Sequence, residues 1–267
     1  MHIQTKIDAA AATPVAAPKT HRTRHSLGLV GAGAFGRFCL PHLAPHFDVV
    51  VADASENLST IAAEHWVRVG DLAAAARAEI VVLAVPLGAL EAVAKAIAPH
   101  LRPGALVIDV CSVKLKPLEI LQQTLPAHVT VIGTHPLFGP QSGKAGIAGL
   151  NLAVCAPPSP SRRRLMAFAN KVLGLNAVAM SADAHDRQMA HVQGLTHLVA
   201  RTLMAMDMPV VAPSTATYEL MLAMVEMVRH DSPDLFRVIT QENPYVRDVT
   251  TRFAHTAAAL VGEPVRR

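Results

Sequence analysis

Leu27-Gly-Leu-Val30 runs without a gap into Gly31-Ala-Gly-Ala-Phe-Gly36, and Arg37 to Leu43 can continue as a helix. A buried strand that must turn at once into a helix leaves few folds open. Glycine at 31 permits the tight turn, glycine at 33 lets a ligand phosphate approach the backbone, and glycine at 36 allows helix and strand to pack closely. The helix N-terminus then offers unpaired amides and a partial positive charge to an anion. A second strand, Asp48-Val-Val-Val-Ala52, closes on Asp53, near the ~20-residue offset at which an acid meets a ribose. A carboxylate there accepts from a 2′-hydroxyl and repels a 2′-phosphate, and the next arginine is only at Arg68. The expected cofactor is therefore NAD, with NADP possible. Its candidate contacts are Gly31, Ala32, Gly33, Ala34, Phe35, Gly36 and Asp53, with Val85 and Pro86 at the end of a later strand.

Strands and helices alternate from that point. Helical patterns at Leu58 to His65, Asp71 to Arg77 (Asp71 as N-cap), Gly88 to Ala98, Pro117 to Leu125 and Arg162 to Leu173 separate apolar runs. Those runs are Val67 to Val69, Ile80 to Val85, Ala105 to Ile108, Val129 to Ile132, Asn151 to Cys155 and Asn176 to Met180. The continuous apolar character of Ile80 to Val85 suits a central parallel strand covered on both faces. This order predicts an α/β fold, a doubly wound (Rossmann) parallel sheet. From Ala182 onward only helical patterns remain. His185 to Met206 is amphipathic, and Tyr218 to Val228 is apolar nearly all round. A helix of that kind must be buried, and a region of about 85 residues has little core to bury it in. The expected organisation is a disordered tail over residues 1–25, a dinucleotide-binding domain over 26–181 and an all-α domain over 182–267. That last domain is expected to carry the substrate pocket and to join two copies as a homodimer.

Composition excludes several classes. No apolar run approaches the ~20 residues of a membrane span, and the longest candidate, Ile80 to Ile97, is broken by Pro86, Gly88, Glu91 and Lys95. No membrane association is expected, and the protein reads as cytoplasmic. The net charge of +4 is scattered or terminal, with few aromatics to interleave with it, so no nucleic acid is expected. Cys39, Cys111 and Cys155 are isolated and odd in number, and read as reduced, buried thiols without a metal.

The stretch Gly133-Thr-His-Pro-Leu-Phe-Gly-Pro-Gln-Ser-Gly143 follows the strand at Val129 to Ile132. Three glycines and two prolines predict a shaped, rigid loop. His135 then lies just past a strand end, where open α/β sheets bind ligands, and Pro136 limits its backbone to extended conformations. Ser112 follows the strand at Ala105 to Ile108 in the same way. A glycine turn, a hydroxyl and an imidazole at one sheet edge suggest hydride transfer, with a neutral histidine taking a proton from an alcohol. The candidate catalytic residues are His135 and Ser112.

Asp109-Val-Cys-Ser-Val-Lys114, the stretch Gly133 to Gly143, and the run His185-Asp186 through Gln193, Thr196, His197 and Arg201 resemble the prephenate/arogenate dehydrogenase family. Asp231-Ser-Pro-Asp-Leu-Phe236 resembles its plant-like branch. The resemblance spans about residues 26 to 245. It implies NAD(P)-dependent oxidative decarboxylation in tyrosine biosynthesis: prephenate to 4-hydroxyphenylpyruvate, or alternatively arogenate to tyrosine. It implies that His135 hydrogen-bonds the ring hydroxyl, that Ser112 orients it, and that His197 lies in the substrate pocket. His197, Thr134, Gln193 and Lys114 form the expected substrate-binding set. Three departures stand out. Met227 falls where the bacterial branch places a carboxylate-binding arginine, Gln141 stands where relatives often carry Glu, and no acid lies near Cys155, where arogenate-preferring members carry one. The last favours prephenate. Two rivals remain: a β-hydroxyacid or imine reductase, which usually uses a helical-domain lysine although none follows Lys171, and a dinucleotide-sensing regulator, which would not need Ser112 and His135.

Overall fold

The computed structural model describes residues 24–54 and 58–262, so the tail expected over 1–25 falls almost wholly outside the described residues. Eight strands among them form one sheet in the order β3-β2-β1-β4-β5-β6-β7-β8. These are β1 (Ser26–Val30), β2 (Asp48–Ala52), β3 (Arg68–Val69), β4 (Ile80–Leu83), β5 (Leu106–Asp109), β6 (Thr130–Pro136), β7 (Asn151–Cys155) and β8 (Asn176–Met180). Six helices connect them: α1 (Ala34–Leu43), α2 (Leu58–His65), α3 (Leu72–Ala76), α4 (Leu87–Ile97), α5 (Leu115–Thr124) and α6 (Pro160–Lys171). The reversal between β1 and β4 makes the winding double and opens a crevice where the strand order turns back.

Side-chain alternation along β4 shows why both faces are covered. Val81 and Leu83 enter the layer shared with Leu90, Ile97 and Leu121 of α4 and α5. Val82 points the other way, into the layer of Leu27, Leu29, Leu40 and Ile61 beneath α1 and α2. Asp71 caps α3 as its sequence position predicts, its carboxylate accepting from the Ala74 amide at 2.7 Å.

Two expectations about the sheet need correction. Every neighbouring pair is parallel except β6 and β7, which run antiparallel. That antiparallel partner also extends β6 through the residues read as a loop. Gly133, Thr134, His135 and Pro136 pair with Cys155, Val154, Ala153 and Leu152. Pro136 is tolerated because it is the last residue of the strand, where a missing N–H interrupts no further ladder. His135 is thus held on a strand, not on the loop beyond it.

After β8 the described chain is helical: α7 (Ala182–Met189), α8 (Thr196–Ala205), α9 (Ala216–Arg229), α10 (Pro233–Arg237) and α11 (Val246–Leu260). The stretch expected as one regular helix from His185 to Met206 is α7 and α8 joined by a wider π-helical run, Ala190–Leu195. A second π-helical run, Val238–Glu242, follows α10. Gly194 lies where a Cβ would come within 2.6 Å of Val246 on α11, so the π run packs against that helix at backbone distance.

Candidate active site

The crevice at the C-terminal ends of β1, β4, β5 and β6 opens into a cavity of about 660 Å³ closed on its far side by the helical region. From the sheet side it is lined by Gly33, Ala34, Phe35, Val85, Pro86, Ser112 and His135; from the helices by Gln193, His197, Met227 and Asp231, among others.

The glycine turn shapes one end. Gly31 has φ near +101°, and a Cβ there would lie 2.4 Å from the Ala84 carbonyl oxygen, so no other residue fits. Gly33 caps α1 with open space where a Cβ would stand. α1 therefore presents its first amides to the cavity without an acid in its first turn, which suits a pyrophosphate. The Asp53 carboxylate accepts from the Ala32 amide, which fixes it beside the turn. Gly31, Ala32, Gly36 and Asp53 shape and back this end, while Gly33, Ala34 and Phe35 face the space. The residues present fit a dinucleotide.

At the other end, β6 and α7 bring together a buried series of side chains. Asp186 Oδ1 and Oδ2 accept from the backbone amides of Lys114 and Leu115 at 2.8 and 2.9 Å. Those amides belong to the N-cap and the first residue of α5, so the carboxylate also sits at a helix N-terminus, where negative charge is favoured. Asp186 Oδ1 lies 2.7 Å from His185 Nδ1, and His185 Nε2 lies 2.8 Å from His135 Nδ1. An ionised carboxylate only accepts, so His185 carries its proton on Nδ1 and turns a lone pair on Nε2 toward His135. His135 must then donate from Nδ1, which leaves a lone pair on Nε2. That atom faces the Gln193 amide nitrogen at 3.3 Å, on the cavity wall. Hydrogen positions follow here from the network, with Asp186 as its fixed point. Burial, reinforced by the neighbouring His185 and Lys114, holds the His135 imidazole well below the ordinary histidine range. It is a neutral base with one defined lone pair.

His197 occupies the next turn of the helical wall. Its Nδ1 donates to the Gln193 carbonyl at 2.9 Å, and its Nε2 lies 3.1 Å from Asp231 Oδ2. The Arg201 guanidinium donates to the Asp231 backbone carbonyl at 2.7 Å, pinning the segment before α10.

Two members of the expected substrate-binding set stand behind the cavity wall. Lys114 is fully buried, its ammonium paired with Asp109 and donating to the Thr134 carbonyl at 2.6 Å. Thr134 is 3% exposed and spends its hydroxyl on the Asp109 carbonyl at 2.8 Å. Both are corrected from substrate contacts to supports: they tie the end of β5, and so the Ser112 turn, to β6. The physical reason is register. Thr134 and His135 alternate across the strand, so only one of them can face the crevice. Cys155 likewise lies buried in β7 beside Gly133 and is not among the residues that line the cavity. Cys39 and Cys111 are half-buried rather than buried, and all three thiols are free.

Sequence reasoning passed over His185 and Asp186 as functional groups and Asp231 as a cavity residue. The signal for the first two was their adjacency: a His-Asp pair one turn inside a helix places its carboxylate near that helix's start. Nothing in the sequence showed that β6 would pass beside it. Among the described residues no group of His, Cys, Asp and Glu could hold a metal ion.

Comparison with known proteins gives a consistent picture. The sequence model of the prephenate dehydrogenase nucleotide-binding domain matches residues 45–151, and that of the prephenate dehydrogenase dimerization domain matches residues 181–263. A probable arogenate/prephenate dehydrogenase of Methanocaldococcus jannaschii is 31% identical over 196 residues, 68% of this chain and 43% of that protein. Arogenate dehydrogenase 1, chloroplastic, of Arabidopsis thaliana is 29% identical over 242 residues, 86% of this chain and 38% of that protein. The chain thus spans less than half the length of these two relatives. In three dimensions it resembles the prephenate dehydrogenase of A. aeolicus, solved with hydroxyphenyl propionate and NAD+, with a TM-score of 0.72 at 20% identity over 90% of this chain and 91% of that one.

Proposed function

The chain belongs to the prephenate dehydrogenase family, and from that premise we propose that it oxidatively decarboxylates a cyclohexadienol of the prephenate or arogenate type. The observation that supports this best is the series Asp186–His185–His135, which aims a lone pair into the cavity that the glycine turn also lines. The reading further takes NAD as the cofactor, a homodimer formed through the helical region, and a cytoplasmic location.

The chemistry follows from what each residue offers. The substrate's ring hydroxyl takes over the position at His135 Nε2 now shared with Gln193, and its proton moves to that atom. Ser112, on the same sheet side of the cavity, orients the same hydroxyl. The bound nicotinamide supplies an acceptor for the hydride that leaves the carbinol carbon. Loss of carbon dioxide from the opposite ring carbon sends its bonding pair through the ring, and the resulting oxygen recovers the proton from His135. The aromatic ring gained makes the overall step strongly downhill, so the protein need only position groups and hold one proton. His185 shares the positive charge that His135 acquires, and Asp186 balances it.

Asp53 supports the choice of NAD, since a carboxylate beside the turn repels a 2′-phosphate. The reductase rival lacks its lysine, for none follows Lys171, and a sensor would have no use for a buried histidine series. Purified protein mixed with prephenate or arogenate and either dinucleotide tests the proposal. Reduced nicotinamide and carbon dioxide should form together; oxidation of neither substrate would overturn it.

A further inference from the structure

The cavity has an unusual balance of charge for a site that must receive a substrate bearing two carboxylates. No lysine or arginine lines it among the described residues, whereas Asp231 and Asp234 both do. Asp234 is already engaged, since Arg237 donates to its Oδ1 from Nη2 at 2.9 Å. Asp231 is engaged on one oxygen only. His197 Nδ1 meets the Gln193 carbonyl, and its Nε2 lies 3.1 Å from Asp231 Oδ2. No described residue donates to Asp231 Oδ1. A second acceptor stands on the same wall: Gln193 Oε1 is buried without a hydrogen-bond partner. Two open acceptors in one cavity call for a ligand rich in donors.

We propose that Asp231, held in place by His197, receives the ammonium group of the substrate's side chain and so makes the site selective for the amino acid over the corresponding keto acid. This deepens the reading given above and rests on it. Arogenate and prephenate differ only in that side chain, which sits across the ring from the hydroxyl. The wall runs in the same sense, from His135 through Gln193 and His197 to Asp231. An ammonium donates to Asp231 Oδ1, where a keto oxygen would meet another acceptor and lose its hydration without return. The amino acid also brings one less net negative charge into a cavity lined by Asp231 and Asp234 and, among the described residues, by no lysine or arginine.

The test measures kcat/KM for both substrates on the wild type and on Asp231→Asn, which keeps the shape and removes the charge. Wild type should prefer arogenate, and the ratio of arogenate to prephenate efficiency should fall by about 10- to 100-fold in the variant, chiefly through the KM for arogenate. An unchanged ratio, or a wild type that prefers prephenate, would overturn the assignment. Should the variant fold poorly, product binding to the wild type decides instead: L-tyrosine should bind more tightly than 4-hydroxyphenylpyruvate, and the reverse order would overturn it. Failure to oxidise either substrate would strike at the underlying reading and not at Asp231.

Discussion

At the scale of single residues, the site is governed by where protons are allowed to sit. Asp186 accepts from two backbone amides and from His185, and that arrangement dictates the tautomer of both histidines. Asp186→Asn would remove the fixed acceptor and let His135 turn a proton toward the cavity. Turnover should fall by about 10²- to 10⁴-fold with little change in dinucleotide binding, measured by fluorescence titration beside steady-state rates. The pH dependence has a definite sign. The proposed role of His135 requires the neutral imidazole, and burial depresses its proton affinity. Activity in kcat/KM should therefore persist as the pH falls through 6.5 and be lost only further toward acid. An acid limb at or above the ordinary histidine value would contradict the assignment. Asp53→Ala should relax discrimination between NAD and NADP, read as the ratio of their kcat/KM values. Of these residues, His135, Ser112 and Asp53 were legible because each ends or follows an apolar run. His185, Asp186 and Asp231 were not, because their roles depend on a neighbour far away in sequence.

At the scale of elements, the central strands were readable from their apolar runs, because β1, β2, β4 and β5 are buried along most of their length. What escaped was the extension of β6 through Gly133 to Pro136. Glycine and proline argue locally for a loop, yet β7 supplies a ladder that outweighs that preference, and Leu118 fills the space beside Gly133. The π-helical run Ala190–Leu195 escaped for a similar reason, since its apolar spacing is close to that of an ordinary helix. Lys114 shows how an element is braced. It joins Asp109 at the end of β5 to the Thr134 carbonyl of β6 with no access to solvent. Lys114→Met would leave Asp109 buried without its counter-ion and should cost about 3–5 kcal/mol in unfolding free energy. Denaturant unfolding at neutral pH checks this. A variant of wild-type stability with a raised substrate KM would restore the substrate-binding role that its buried position argues against.

At the scale of the whole molecule, the apolar surface of the helical region asks for a partner. α9 buries Val225 and Val228 but leaves Leu220 72% and Met227 61% exposed, and Met206 before it is 63% exposed. The abundance of Leu, Met and Val in this helix was legible, and it predicted burial that one copy alone provides only in part. A homodimer through this face is expected, and sedimentation at low micromolar concentration should give twice the mass of one chain; a monomer would remove the proposal. Met227 lies both on that exposed face and on the cavity wall, so a dimer formed through it would cover a residue that also lines the cavity.

All these scales converge on one lone pair at His135 Nε2. The most direct measurement is the rate of arogenate or prephenate oxidation by the wild type and by His135→Asn, with dinucleotide binding measured on both. Turnover lower by about 10²- to 10⁴-fold with binding intact is the predicted result; a variant that turns over as fast as the wild type would contradict it.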